Sequence, residues 1–182
     1  MVTEIQRRRK LPVRPSGFAA ENVPVEIKTG IGELITQWSY VAFQLGVVVR
    51  VGFGLRPEIG FALLSTVDLQ PLCGALRTLA SGPWIPDPAL RDEVEKLATD
   101  VQKKKDRRND FAHGVYGMVE AKDGSPLFVR FRFRDGVKGK PAYERVTVDL
   151  LRELADEAYD FGRRAQDLTV ALKALRGKAA AR

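Results

Sequence analysis

Residues 88–114 read PALRDEVEKLATDVQKKKDRRNDFAHG, and their reading decides how the chain is built. At about 100° per residue, Leu90, Val94, Leu97 and Val101 fall on one side of a helix, an apolar stripe that must face a core. Arg108 lies about five turns beyond Leu90 on the same line, so the stripe ends by aiming a guanidinium inward. Asn109 and His113 stand one turn apart, at i and i+4, on a flank beside it. Gly114 is expected as the C′ residue, placing His113, the only histidine of the chain, in the last turn at the negative end of the helix dipole. A cation, an amide and an imidazole then converge on one cleft, a set suited to acid–base chemistry near neutral pH. A plainer reading uses the same residues. The run from Lys103 to Arg108 is basic except for Asp106, a composition common at solvated helix ends, and a His before a capping Gly is ordinary.

Upstream, Ile31, Leu34, Ile35, Trp38, Val41, Ala42, Leu45, Val48 and Val49 recur at three- and four-residue steps, which predicts one long buried helix from Gly30 to the glycines Gly52 and Gly54. Trp38, Tyr40 and Phe43 read as core or dimer packing in preference to a base-stacking set. So apolar a helix is expected to be covered in part by a second subunit. Pro57 opens a second helix with Ile59, Leu63 and Val67 on one side. Pro71, which has no N–H to donate, forces a break near Asp68. A segment from Leu72 to Ala80 follows and stops at Ser81-Gly82-Pro83. After a loop that exposes Trp84, Asp87 and Pro88 are an N-cap and N1 pair opening the long helix.

Downstream the period changes to two. Val115–Ala121, a turn at residues 122–126, and Leu127–Arg134 predict a β-hairpin, with Glu144–Val148 as a third strand. Phe131 and Phe133 alternate with Arg130, Arg132 and Arg134. The Phe side is expected to pack on the helices, leaving three guanidiniums roughly 7 Å apart on a wet face that can hold a nucleic-acid backbone. Asp149 is the expected cap of a last helix with Leu150, Leu154, Ala158, Phe161, Ala165, Leu168, Leu172 and Leu175 in one stripe, ending at Gly177. The fold class is therefore mainly α, an antiparallel up-and-down bundle with a small β insertion over about 115–148. One domain spans 23–177, flanked by a flexible basic arm at 1–22 and a frayed tail at 178–182.

Composition bounds what this domain does. A length of 182 residues suits a single core. The lone Cys73 excludes an internal disulfide and, with one His, a Cys/His metal cluster. The net charge is +7, but it is concentrated in residues 1–15 and 163–182, which leaves the body slightly acidic. Overall basicity is thus weak evidence for a nucleic-acid groove, although an arm such as Arg7-Arg8-Arg9-Lys10 adds salt-sensitive phosphate affinity, or simply solubility. Neither a signal peptide nor a membrane span is expected, since the most apolar stretch, Val41 to Leu55, is interrupted by Arg50. A cytoplasmic protein is the reading.

Arg108-Asn109-Asp110-Phe111-Ala112-His113-Gly114 resembles the signature of the HEPN superfamily (higher eukaryotes and prokaryotes nucleotide-binding domains), in which an Arg followed by a polar residue precedes a His by five positions. The resemblance implies an all-α bundle, commonly a homodimer. It also implies an endoribonuclease without metal or cofactor, of toxin, antiviral or RNA-processing type, with single-stranded RNA and possible antitoxin proteins as partners. It assigns Arg108 and His113 to catalysis with Asn109 as orienting group. Arg107, expected to face outward, joins Arg130, Arg132, Arg134 and Tyr116 as candidate RNA contacts. Val115 stands where members silenced by nucleotidylation carry a Tyr, and Tyr116 comes one place later. The alternative is a HEPN-like module that binds RNA or dimerises and does not cleave.

Overall fold

In the computed structural model the described residues are 23–64, 67–120, 123–132 and 142–180. The expected arm at 1–22, Phe133 and Arg134 lie outside them, as does the side chain of Arg132. The chain is mainly helical: α1 (Val25–Phe53), α2 (Pro57–Leu64), α3 (Leu69–Ser81), α4 (Pro88–Ala112), strands β1 (Val115–Glu120), β2 (Pro126–Arg132) and β3 (Ala142–Arg145), then α5 (Val148–Ala180).

Most boundaries follow from local chemistry. Asp87 accepts from the N–H groups of Ala89 at 2.9 Å and Leu90 at 3.3 Å, capping α4 as its sequence predicts. α1 ends at Gly54, whose φ of 71° is left-handed. Several expectations shift, among them the third strand, which runs over Ala142–Arg145 instead of Glu144–Val148. α1 begins at Val25, five residues before Gly30, because Pro24 accepts the first backbone bonds from Ile27 and Lys28. Pro71 sits inside the first turn of α3, where its missing N–H has no helical partner to lose, so it does not delay the helix to Leu72. Thr147 replaces Asp149 as the side-chain cap of α5, its hydroxyl accepting from the Leu150 N–H at 3.1 Å. α5 itself runs past Gly177 to Ala180.

Side-chain contacts fix the helix directions. Gln70 and Arg77 of α3 meet Lys105 and Glu95 of α4, and Asp100 and Lys104 of α4 meet Arg164 and Glu157 of α5, so each of these neighbours is antiparallel to the next. Phe43 and Arg50 of α1 meet Phe61 and Gly60, making the short α2 the returning leg. With five legs in alternation, the first and last helices run parallel. Gly30 lies against Leu151, Tyr40 donates to Gln166 at 3.3 Å, and the Arg176 guanidinium donates to the Gly52 carbonyl at 2.6 Å.

This pairing covers one side of α1 within the chain itself. Leu34, Trp38, Val41, Leu45 and Val48 are buried within the chain, in one core with Leu72, Leu76, Val94, Leu97, Leu151, Ala158 and Phe161. Among the described residues α1 alone is long and apolar enough to cross a membrane by length and composition. Its buried face marks it as the core helix of this bundle.

The sheet is antiparallel in the order β1-β2-β3. Its register aligns Tyr116, Arg130 and Glu144 in one row across the three strands. Phe128 and Tyr116 join the main core, so this row faces the helices, while Val119, Val129 and Phe131 form a separate small cluster on the other side. The expected assignment of faces is therefore inverted. Phe128 sets the helix-facing side, and by the period of two it carries Arg130 with it.

Candidate functional site

The C-terminal end of α4 is anchored by Phe111, which is fully buried. Two guanidiniums lie over its ring, Arg107 at 5.4 Å and Arg130 at 4.9 Å from the centroid, a cation–π arrangement. Both cations then share one carboxylate: Arg107 donates to Glu144 Oε1 at 2.7 Å and Arg130 to Glu144 Oε2 at 2.6 Å. Arg130 also reaches Asp110 Oδ2 at 3.2 Å. Burial opposes ionisation of Glu144, but the hydrogen bonds and charges of Arg130 and Arg107 outweigh it and hold its carboxyl below the usual range. Arg130 shows the matching balance: desolvation opposes its charge, while Glu144 and Asp110 raise its pKa above the ordinary arginine value.

This network moves three residues from the expected RNA face into the scaffold. Arg130 is only 2% exposed, so it supports the motif from beneath. Arg107 is half-buried on Glu144 instead of facing outward. The Tyr116 hydroxyl donates to the Phe111 carbonyl, and its ring stacks on Phe128 at 5.7 Å. Burial, with Glu144 and Asp110 adding to it against the opposing charge of Arg130, pushes the Tyr116 phenol up to about 12. Arg132 belongs to β2, but its side chain, like all of Arg134, lies outside the described residues.

Above this scaffold the three expected catalytic residues do come to one place. Arg108, Asn109 and His113 all line an open cavity of about 1100 Å³. α1 contributes its floor, α2 and the start of α3 one wall, and the end of α4 with β1 and β2 the other. Arg108 is half-buried, and its Nε is buried without a hydrogen-bond partner, as the inward-running stripe predicts. Its Nη1 donates to Asn109 Oδ1 at 2.9 Å, so Asn109 orients the guanidinium and not the imidazole. His113 is exposed, and its backbone N–H donates to the Asn109 carbonyl at 3.0 Å as the C-cap of α4. Gly114 is needed for close approach and not for a left-handed cap: a Cβ there would lie 2.7 Å from the Asp110 carbonyl oxygen and 2.8 Å from Arg130 Cδ. Thus Arg130 sets where the chain turns after His113.

Lys105, bonded to Gln70 at 2.7 Å, and Arg50 bring further cations to the lining, against the carboxylates of Asp68 and Asp110. Among the described residues no cluster of three or more His, Cys, Asp or Glu forms a metal-ligand set. Asp110, Phe111 and Glu144 were not singled out from the sequence. The parity of Phe128 and Arg130 carried part of the signal; the pairing with Glu144, fourteen residues on, had no local signature. Searches against protein-family models, curated proteins and solved structures find no match to this chain.

Proposed function

We propose that this chain is a HEPN-type endoribonuclease that cleaves single-stranded RNA without a metal ion. The observation that carries the reading is the joint presence of Arg108, Asn109 and His113 on the wall of one cavity of about 1100 Å³, large enough for a nucleotide-sized ligand. In this reading a base takes the proton of a ribose 2′-OH, the 2′-oxygen forms a bond to phosphorus, and the bond from phosphorus to the 5′-oxygen breaks. An acid protonates that leaving oxygen. The products are a 2′,3′-cyclic phosphate and a 5′-hydroxyl end. Arg108, held by Asn109, stabilises the charge that builds on the phosphoryl oxygens. His113 supplies one proton transfer. With one histidine per chain, acid and base can both be imidazoles only if the second comes from another copy, so the acting species in this proposal is a cytoplasmic homodimer that pools two motifs. A toxin or phage-defence role, with an antitoxin protein as possible partner, fits such an activity.

The test is incubation of purified protein with total RNA in EDTA, wild type beside His113→Ala and Arg108→Ala, with end-group analysis of the fragments. Cleavage to cyclic-phosphate ends that vanishes in both folded variants supports the reading; equal cleavage by His113→Ala removes it. One observation favours the non-catalytic alternative: among the described residues no side chain hydrogen-bonds the His113 imidazole to fix its tautomer. That module would bind RNA and leave it intact.

A further inference from the structure

We propose that Phe43, Phe61 and Arg50, which line this cavity together with the motif, form a stacking subsite for an unpaired nucleobase of the RNA strand; the identity of the polymer rests on the ribonuclease reading above. Phe43 and Phe61 are 54% and 49% exposed, unusual for large aromatic rings lining a concavity in a chain whose core is otherwise closed. Their planes lie within 16° of parallel with centroids 6.2 Å apart, so the rings stack on one another from adjacent helices while about half of each stays exposed. Arg50 Cζ stands 5.6 Å from the Phe61 centroid. Gly60 allows that approach, since a Cβ there would lie 2.4 Å from Arg50 Cδ and Cγ. A guanidinium fixed against a π-face beside exposed rings is the combination with which single-stranded nucleic acid is held.

Charge decides between an RNA strand and a second copy of the chain as the occupant. Among the described residues neither Arg50 nor Arg108 has a carboxylate partner, and the Nε of each is buried without a hydrogen bond. An apolar protein face closing over the cavity would leave both cations uncompensated, which is costly. A strand brings one phosphate for every base, so a base stacked on the Phe43–Phe61 pair and a phosphate at Arg108 answer both the exposed rings and the unpaired cations of one cavity. Of the residues read as core or dimer packing, Phe43 is outside the core of this chain, while Trp38, 3% exposed, packs in it against Phe161.

The experiment measures anisotropy of a labelled, uncleavable 2′-O-methyl oligoribonucleotide with the full chain, wild type against Phe61→Leu and Phe43→Leu. These variants keep apolar volume and lose the π-face. A strand with abasic sites and a duplex of the same length are run beside it, and thermal melting checks that each variant is folded. The expected result is a loss of roughly 5- to 150-fold in affinity for the single strand, with the abasic strand and the duplex already weak and insensitive to the substitutions. Unchanged affinity in both variants, or an abasic strand bound as tightly as its parent, overturns the proposal. So does sedimentation showing that Phe61→Leu separates a wild-type dimer, because the pair is then covered by a second copy. Failure of cleavage is distinguishable: a wild type that binds through Phe61 but leaves RNA intact refutes the ribonuclease and keeps the subsite.

Discussion

Replacing Arg130 by alanine separates a scaffold residue from an RNA contact. The substitution removes hydrogen bonds of 2.6 Å to Glu144 and 3.2 Å to Asp110, and the cation 4.9 Å from the Phe111 centroid. It also removes the alkyl stem against which Gly114 packs. Breaking a buried ion pair from one side costs about 3–5 kcal/mol. The Arg130 side chain is 3% exposed, but Glu144 is 22% and Asp110 39% exposed, so water recovers part of the loss and Glu144 keeps Arg107. The expected cost is therefore about 2–4 kcal/mol. For a chain of this size that lowers the melting temperature by roughly 4–16 °C. Circular dichroism melts and urea titrations of wild type and Arg130→Ala read this directly. Arg130→Lys is expected to recover only part, since an ammonium keeps the charge beside Glu144 and Asp110 but loses the planar guanidinium lying over the Phe111 ring. An Arg130→Ala protein melting within a degree of wild type, with RNA affinity alone reduced, would refute the scaffold and restore the strand-face reading.

Other outcomes follow from the same geometry. Glu144 has a folded pKa below its ordinary 4.5, so its ionised form stabilises the fold above the unfolded pKa, and that stability is lost as pH falls through the lowered value. Glu144→Gln should therefore flatten the acid limb of a stability-against-pH curve, and an unaltered limb argues against the network. Spectrophotometric titration should show one tyrosine ionising only near 12; its absence in Tyr116→Phe assigns it, and that variant should lose about 1 kcal/mol in urea unfolding. Gly114→Ala forces a methyl against Asp110 and Arg130; a cost of about 1–3 kcal/mol is expected, with His113 displaced in its NMR shifts.

The parts of the fold legible in the sequence are those governed by short-range rules. The α4 stripe ending at Arg108, the Asp87-Pro88 start and the Ser81-Gly82-Pro83 stop are each written within a few residues, and each appears in the structure. Convergence of Arg108, Asn109 and His113 on one cavity was legible for the same reason, as one turn and a half of a single helix. The face of the sheet was not. β2 is aromatic on both sides, Phe128 on one and Phe131 on the other, so its period cannot say which side meets the helices. The decision is made by Phe111 and Asp110 on α4 and by Glu144 on β3, which supply a receptor for a buried cation. Likewise the pairing of α1 with α5 had no local signature, because α5 is the last helix of the chain.

That parallel pairing of first and last helices also governs how the chain comes into being. Tyr40 meets Gln166 across 126 residues, and Arg176 meets Gly52 across 124. During synthesis the side of α1 that α5 covers therefore stays open until α5 is made, although α3 and α4 can pack on its other parts earlier. Such distant closure slows folding and prolongs the window for misassembly or mistaken capture by a membrane.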